Sequence, residues 1–188
     1  TTTFAGSAGE EYTVFAEDNC GHSVVEQFTL RTQPVISGIV DPVSGIEDTE
    51  LSFSFTVSDV ETSPEALSVS VTAGDTDLFP NPFTLVNTDG NCVVTTTPGA
   101  DKNGNSVLTI KVSNGAFETT KTVNVEIAAV NDAPTAADDI VDTDKNKPVT
   151  IDVLDNDNDV DMADTTPDVI FIKSVSNASP GAVEITED

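Results

Sequence analysis

The 188-residue sequence predicts an all-β chain of β-sandwich type. Three observations point there. Two-residue alternation of apolar and polar residues recurs along the chain, helical periodicity is hard to find, and turn residues separate the alternating runs. Leu51, Phe53, Phe55 and Val57 alternate with Ser52, Ser54 and Thr56, which gives a strand with one inward face. Leu67, Val69 and Val71 repeat the pattern, as do Leu108, Ile110 and Val112, and then Val123, Val125 and Ile127. Asn114-Gly115 suits a tight turn needing positive φ, so residues 106–128 read as one long hairpin. Pro34, Pro42, Pro64, Pro80, Pro82, Pro98 and Pro134 fall between the runs, where a missing amide donor does no damage to a central strand.

Alternation stops at two places and a proline follows a polar step: Arg-Thr-Gln-Pro at 31–34 and Asn-Asp-Ala-Pro at 131–134. The cuts define three domains: 1–33, 34–133 and 134–188. The central piece has the size of one complete seven-stranded immunoglobulin-like sandwich, typically about 100 residues. The flanks are too short to be complete. Residues 1–33 carry strand-like runs at 11–17 and 24–31; residues 134–188 carry runs at 139–142, 148–154, 169–176 and 182–186.

Charge limits function. With 33 Asp+Glu against 7 Lys+Arg the net charge is −26, and seven basic side chains cannot neutralise a nucleic acid backbone. No apolar run approaches the roughly 20 residues that span a bilayer, so membrane insertion is not expected. The first residues, Thr-Thr-Thr-Phe-Ala-Gly, show no signal-peptide pattern. A cation is the natural partner of such a surface.

Acid is densest in the last piece, in Asp-Asn-Asp-Asn-Asp-Val-Asp-Met-Ala-Asp at 155–164. In an extended strand Asp155, Asp157, Asp159 and Asp161 would project from one side, with carboxylates about 6–7 Å apart. Each neighbouring pair would then cost roughly 0.7 kcal/mol even in water, unless the backbone curls or a cation intervenes. Calcium takes six to eight oxygens, and Asn156 and Asn158 interleave amide oxygens with the carboxylates. An EF-hand loop fits poorly: counted from Asp155, its glycine and glutamate positions hold Val160 and Thr166. The central piece carries a sparser set: Glu47-Asp48, Asp59-x-Glu61 and, at its exit, Asn131-Asp132.

The order of these groups, within Ile-Glu-Asp-Thr-Glu-Leu-Ser-Phe-Ser-Phe-Thr-Val-Ser-Asp-Val-Glu at 46–61, the stretch at 98–117 and Ala-Ala-Val-Asn-Asp-Ala-Pro-Thr-Ala-Ala-Asp-Asp at 128–139, resembles the cadherin-like and VCBS-type tandem repeats of large bacterial surface and secreted proteins. Residues 147–161 look like the opening strands and acidic loop of a second such domain, and residues 12–30 like the closing strands of a hyalin-type repeat. The resemblance implies calcium at the joints. Glu47, Asp48, Asp59 and Glu61 would serve the entrance of the central domain, Asn131 and Asp132 the linker, and Asp155, Asp157, Asp159 and Asp161 the loop beyond. The linker is reduced to Val-Asn-Asp-Ala, and only Asp101-x-Asn103-Gly104 stands where a second acidic pair is expected.

Cys20 and Cys92 are the only cysteines and fall in different predicted pieces, leaving an internal disulfide, an intermolecular one or none. His22, the sole histidine, is read as a turn residue; zinc would need more ligands of the usual kinds. No serine or cysteine nucleophile has another histidine base, so catalysis is not expected. Asn177-Ala-Ser179 matches a glycosylation acceptor, a short pattern with many chance occurrences.

The function expected is a calcium-stiffened structural or adhesive section of an extracellular bacterial surface protein, with neighbouring repeats as partners. One alternative is a filament subunit whose terminal half-domains complement one another between chains. The other is a recognition module for carbohydrate or protein on the sandwich; Phe79, Pro82 and Phe83 are its candidate aromatic cluster.

Overall fold

The computed structural model describes residues 6–7, 9–163, 168–176 and 182–185. The chain divides into two compact units, Thr1–Ala129 and Val130–Asp188.

Unit 1 opens with an antiparallel hairpin of β1 (Glu11–Glu17) and β2 (Ser23–Thr29). Asp18 shapes its turn: Oδ1 accepts the backbone N–H of Cys20 and of His22, at 2.8 and 2.9 Å, and Oδ2 lies 3.0 Å from His22 Nδ1. The N–H groups of His22 and Cys20 hold the Asp18 carboxyl below its ordinary range. Tyr12 and Phe28 face one another in register with ring centroids 5.5 Å apart.

A sandwich of two four-stranded sheets follows. One sheet is ordered β3 (Val35–Ser37), β5 (Leu51–Ser58), β8 (Asn91–Thr96), β7 (Thr84–Thr88); the other is ordered β4 (Val43–Ile46), β10 (Glu118–Ala128), β9 (Gly104–Ser113), β6 (Ser68–Ala73). Eight segments stand where seven strands were expected, because the first strand is split between the sheets. β3 pairs antiparallel with β5, and β4 pairs parallel with β10. Asp41 fastens the crossing segment: its Oδ1 accepts both the backbone N–H and the side-chain amide of Asn124, each at 3.0 Å, one residue before β4 takes over the pairing at Val125. The split arrangement is immunoglobulin-like.

The inward residues make the core. Leu108, Ile110, Val112 and Val125 are fully buried, Val123 and Ile127 nearly so, and Leu51, Phe55 and Val57 meet them from the other sheet. Burial at roughly 25 cal/mol per Å² of apolar surface makes this face the main source of stability. The 106–128 hairpin runs Gly104–Ser113 and Glu118–Ala128. Only Gly115 of the Asn114-Gly115 pair has positive φ, at 86°, and the connection is a four-residue loop organised by Asn114 Oδ1, which accepts from Ala116 and Phe117 N–H. The true two-residue turn is Asp89-Gly90, with φ of 50° and 83°, joining β7 to β8 as a type I′ turn requires. A Cβ on Gly90 would stand 2.6 Å from the carbonyl oxygen of Val57, so glycine is required there twice over.

Two expectations are corrected, and the cysteine alternatives narrow to free thiols. Phe79 is buried in the core and Phe83 packs partly buried against it, ring centroids 5.8 Å apart, so they form no exposed aromatic platform. Cys20 is exposed and Cys92 fully buried, and both are free thiols. Burial raises the Cys92 thiol, and the thiolate is the reactive form. A thiol reagent is therefore expected to modify one cysteine in the folded protein and the second only after denaturation, counted by mass spectrometry; modification of both under native conditions would contradict the burial of Cys92.

The second correction concerns residues 134–188, where no strand is present among the described residues; 139–142, 148–154, 169–176 and 182–185 are not in strands. An isolated bridge joins Thr135 to Asn158, with Thr135 N–H to Asn158 O at 2.7 Å and Asn158 N–H to Thr135 O at 3.0 Å. Alternation offers an apolar face, but a strand also needs a neighbour to satisfy its backbone groups. Ile140, Val169 and Phe171 accordingly stand exposed. The possible glycosylation site at 177–179 lies outside the described residues.

Candidate metal centre

Three groups of oxygens carry the predicted ligands. The first lies in unit 1, where β2 leads into the sandwich. Asp59 and Glu61 follow β5, and their side chains fold back on their own loop and on Thr32. Asp59 Oδ1 accepts the N–H of Glu61 and of Thr62 at 3.1 and 2.9 Å; Oδ2 accepts Asn114 Nδ2 at 3.0 Å. Both Glu61 oxygens lie 3.2 Å from Thr32 N and 3.3 and 3.0 Å from Thr32 Oγ1. Asn114 Nδ2 also donates to the Thr32 carbonyl at 3.0 Å. Every carboxylate oxygen of this set accepts from a neutral donor.

Desolvation pushes the Asp59 carboxyl up, but the Asn114 amide and the Glu61 and Thr62 N–H groups outweigh it and hold the group below its ordinary value. A carboxyl depressed by folding contributes stability that is present above its unfolded value, near 3.9, and lost as pH falls through the lower folded value. Asp59→Asn is expected to shrink the acid-side fall of the urea midpoint below about pH 4 relative to the parent. Acid relief of the −26 charge acts on both proteins alike, so the difference isolates Asp59. Superimposable acid limbs would remove Asp59 as a source.

The second group lies at the other end of the sandwich. Glu47 N–H donates to the Ala128 carbonyl at 3.1 Å where β10 ends, and the Glu47 side chain is buried, 1% exposed. Asp48 is exposed with φ 57°, and its Oδ1 accepts the N–H of Asp101, φ 54°, at 3.2 Å. Carboxylate oxygens of Asp48 and Asp101 lie within 4.8 Å of one another. Sequence reasoning missed Asp101. Its only signal was the Asp101-x-Asn103-Gly104 turn, and nothing local couples it to a residue 53 positions away.

The third group belongs to unit 2. The acidic loop is not an extended strand. Asp157 N–H donates to the Leu154 carbonyl at 3.2 Å, Asn158 holds the bridge to Thr135, and Val160–Ala163 form a 3-10 turn. Asp159 Oδ1 accepts the N–H of Asp161 at 3.0 Å at the start of that turn, as a capping side chain does. Asp161 Oδ2 accepts the N–H of Asp132 at 2.7 Å, and Asp157 Oδ1 accepts that of Ala137 at 2.9 Å. The fold thus ties the linker acid Asp132 to Asp161, 29 residues on. Asp155 stays exposed, and the Asn131 amide donates to its neighbour's carbonyl at 2.8 Å. Asp159 and Asp161 are 5% and 6% exposed, and neither joins an ion pair among the described residues.

No family model matches the chain, and no curated protein matches it. Solved structures with partial likeness include domains 4 and 5 of the S-layer protein SbsC, at 21% identity and TM-score 0.38, covering 56% of this chain and 59% of that one. Titin domain M7 matches at 14% identity and TM-score 0.41, covering 54% of this chain and 100% of that one. An endo-fucoidan hydrolase of glycoside hydrolase family 107 matches at 17% identity and TM-score 0.39, covering 66% of this chain and 20% of that one. The chain spans less than two thirds of the SbsC fragment.

Proposed function

We propose that the chain is a structural or adhesive section of a cadherin-like extracellular repeat protein, and that calcium held by Asp132, Asp157, Asp159 and Asp161 orders the segment leaving the sandwich. One observation carries this reading. Among the described residues of 130–188 only Asp159 and Asp161 are buried, and no apolar side chain is. Taking carboxylates out of water without a paired charge is expensive, several kcal/mol per ion after relaxation. A hard divalent cation offsets that cost, and carboxylates with asparagine and backbone oxygens are the donor set calcium prefers. The donor types, carboxylate and amide oxygens, are those the ion prefers. When bound, calcium supplies charge neutralisation and a geometric tie between the linker at 131–132 and the loop at 157–161.

Extracellular modules bind calcium with Kd of roughly 0.1–1 mM, and a tenfold excess of ion adds about 1.4 kcal/mol per site to the ordered state. That increment is modest for one segment. Repeated along a chain of domains, it determines whether the molecule extends. Isothermal titration with calcium, paired with thermal unfolding in calcium and in EDTA, tests the proposal. A heat of binding with an upward shift of the transition is expected; no heat and coincident curves would overturn it.

A second reading, the filament subunit, is favoured by the exposed apolar residues of β1 and β2, Phe15, Val24 and Val25, and by the strand-like runs of unit 2 that lack ladder partners. Light scattering distinguishes the two. Mass that grows with concentration supports assembly; a monomer that changes only in shape or stability with calcium supports the first.

A further inference from the structure

We infer that the joint between the hairpin and the sandwich is a metal-independent clasp, in which the side-chain amide of Asn114 occupies the place of a cation. The inference goes beyond the calcium reading of residues 132–161 and does not depend on it. The geometry is explicit. Asn114 Nδ2 lies 3.0 Å from the carbonyl oxygen of Thr32 and 3.0 Å from Asp59 Oδ2, so its two N–H groups bridge a linker carbonyl and a carboxylate from the loop after β5. A divalent cation joining those bodies would bridge the same two oxygens. The amide supplies partial positive charge on two hydrogens where the ion would supply two full charges. It needs no third or fourth ligand.

The remaining acceptors are engaged to match. Thr32 meets Glu61 through both its N–H and its hydroxyl, and Asp59 Oδ1 is used by Glu61 and Thr62 N–H. Thr32 therefore has N–H, hydroxyl and carbonyl all fixed to the sandwich, and the hairpin that ends at Thr29 is anchored three residues later. Asn114 is itself held. Its Oδ1 accepts the N–H groups of Ala116 and Phe117 at 3.0 and 2.8 Å, which locks the amide face toward the linker. Arg31, the one arginine, lines a cavity of about 400 Å³ beside Glu61, Thr62 and Asn114 and contributes positive charge to the same corner. The consequence is that the module's entrance is fastened by neutral donors rather than by an ion.

Hydrogen exchange of the Thr32 amide, read by NMR in EDTA and in millimolar calcium, tests the clasp. In the parent protein Thr32 is expected to be protected in EDTA and unchanged within about twofold by calcium. Asn114→Asp keeps the oxygen that organises the loop but replaces the bridging donor with a third oxygen ligand. It is expected to lose about tenfold in Thr32 protection in EDTA and to recover it on adding calcium. Exchange of the Ile110 amide in β9 reports whether the variant is folded, and the parent measurement stands without it. Calcium-induced protection of Thr32 in the parent would overturn the inference. So would an Asn114→Asp variant that matches the parent in EDTA, or one that calcium fails to rescue. None of these results depends on whether calcium binds at 132–161, which titration reads separately.

Discussion

Ile110→Ala is expected to destabilise unit 1 by about 2–5 kcal/mol. The side chain is fully buried at the middle of β9, opposite Val71 of β6 on one edge and Lys121 of β10 on the other. Because β9 is a central strand, its backbone is held from both sides and cannot collapse into the space left behind. Removing three carbons therefore loses both transfer energy and dispersion contacts around a residual cavity. A domain of this size has only about 5–15 kcal/mol in total, so the loss should appear as a fall in Tm of roughly 10–20 °C. Val107→Ala is the matched control. It lies on the same strand, faces solvent at 43% exposure, and should change stability by no more than about 0.5 kcal/mol. Equal losses from the two substitutions in urea denaturation would mean that the faces of β9 are not inward and outward as described.

The same contrast explains what was legible in the sequence. The strands of the core were readable because one face is apolar and the other is not: Leu108, Ile110 and Val112 against Val107, Thr109 and Lys111 leave a two-residue signature only partly blurred by Val107. β3 and β4 are three and four residues long, too short to alternate detectably. The β7–β8 hairpin is readable in principle, since Asp89-Gly90 is among the strongest hairpin signals, whereas Asn114-Gly115 carries the same signal and forms part of a wider loop. At 139–142 and 169–176 the pattern was present without the strand. Periodicity says which side chains could share a face and nothing about whether a neighbouring strand exists to complete the ladder.

The site divides along the same line. Asp157, Asp159 and Asp161 announce themselves by local spacing, and Asp159 and Asp161 belong to a turn only a few residues long. Thr32 and Asn114 gave no warning. They are ordinary polar residues 82 positions apart, and their role exists only once the β9–β10 loop is brought against the linker. Residues that act through tertiary contact are invisible to motif reading, however strict the chemistry they perform.

Asp161→Asn is expected to move stability in opposite directions with and without calcium. The Asp161 carboxylate is 6% exposed and its Oδ2 accepts the Asp132 N–H at 2.7 Å, a bond that an asparagine oxygen can also accept. In EDTA the substitution removes one buried negative charge two residues from the buried Asp159 while leaving that bond formable. The ion-free segment should gain up to about 1 kcal/mol, the scale of a like-charge pair at a few ångströms in water. With calcium present the same change removes a charged ligand, and charge count is one of the quantities that tune affinity in oxygen sites. A tenfold weakening corresponds to about 1.4 kcal/mol, enough to cancel the benefit of a tenfold ion excess. The variant should therefore equal or exceed the parent in EDTA and fall below it in calcium, read as crossing denaturation curves for residues 130–188. Curves that shift by the same amount in both conditions would assign Asp161 a purely structural part in capping the turn. The crossing separates a ligand from a cap because a hydrogen bond to Asp132 is indifferent to calcium, whereas a coordinating oxygen is not.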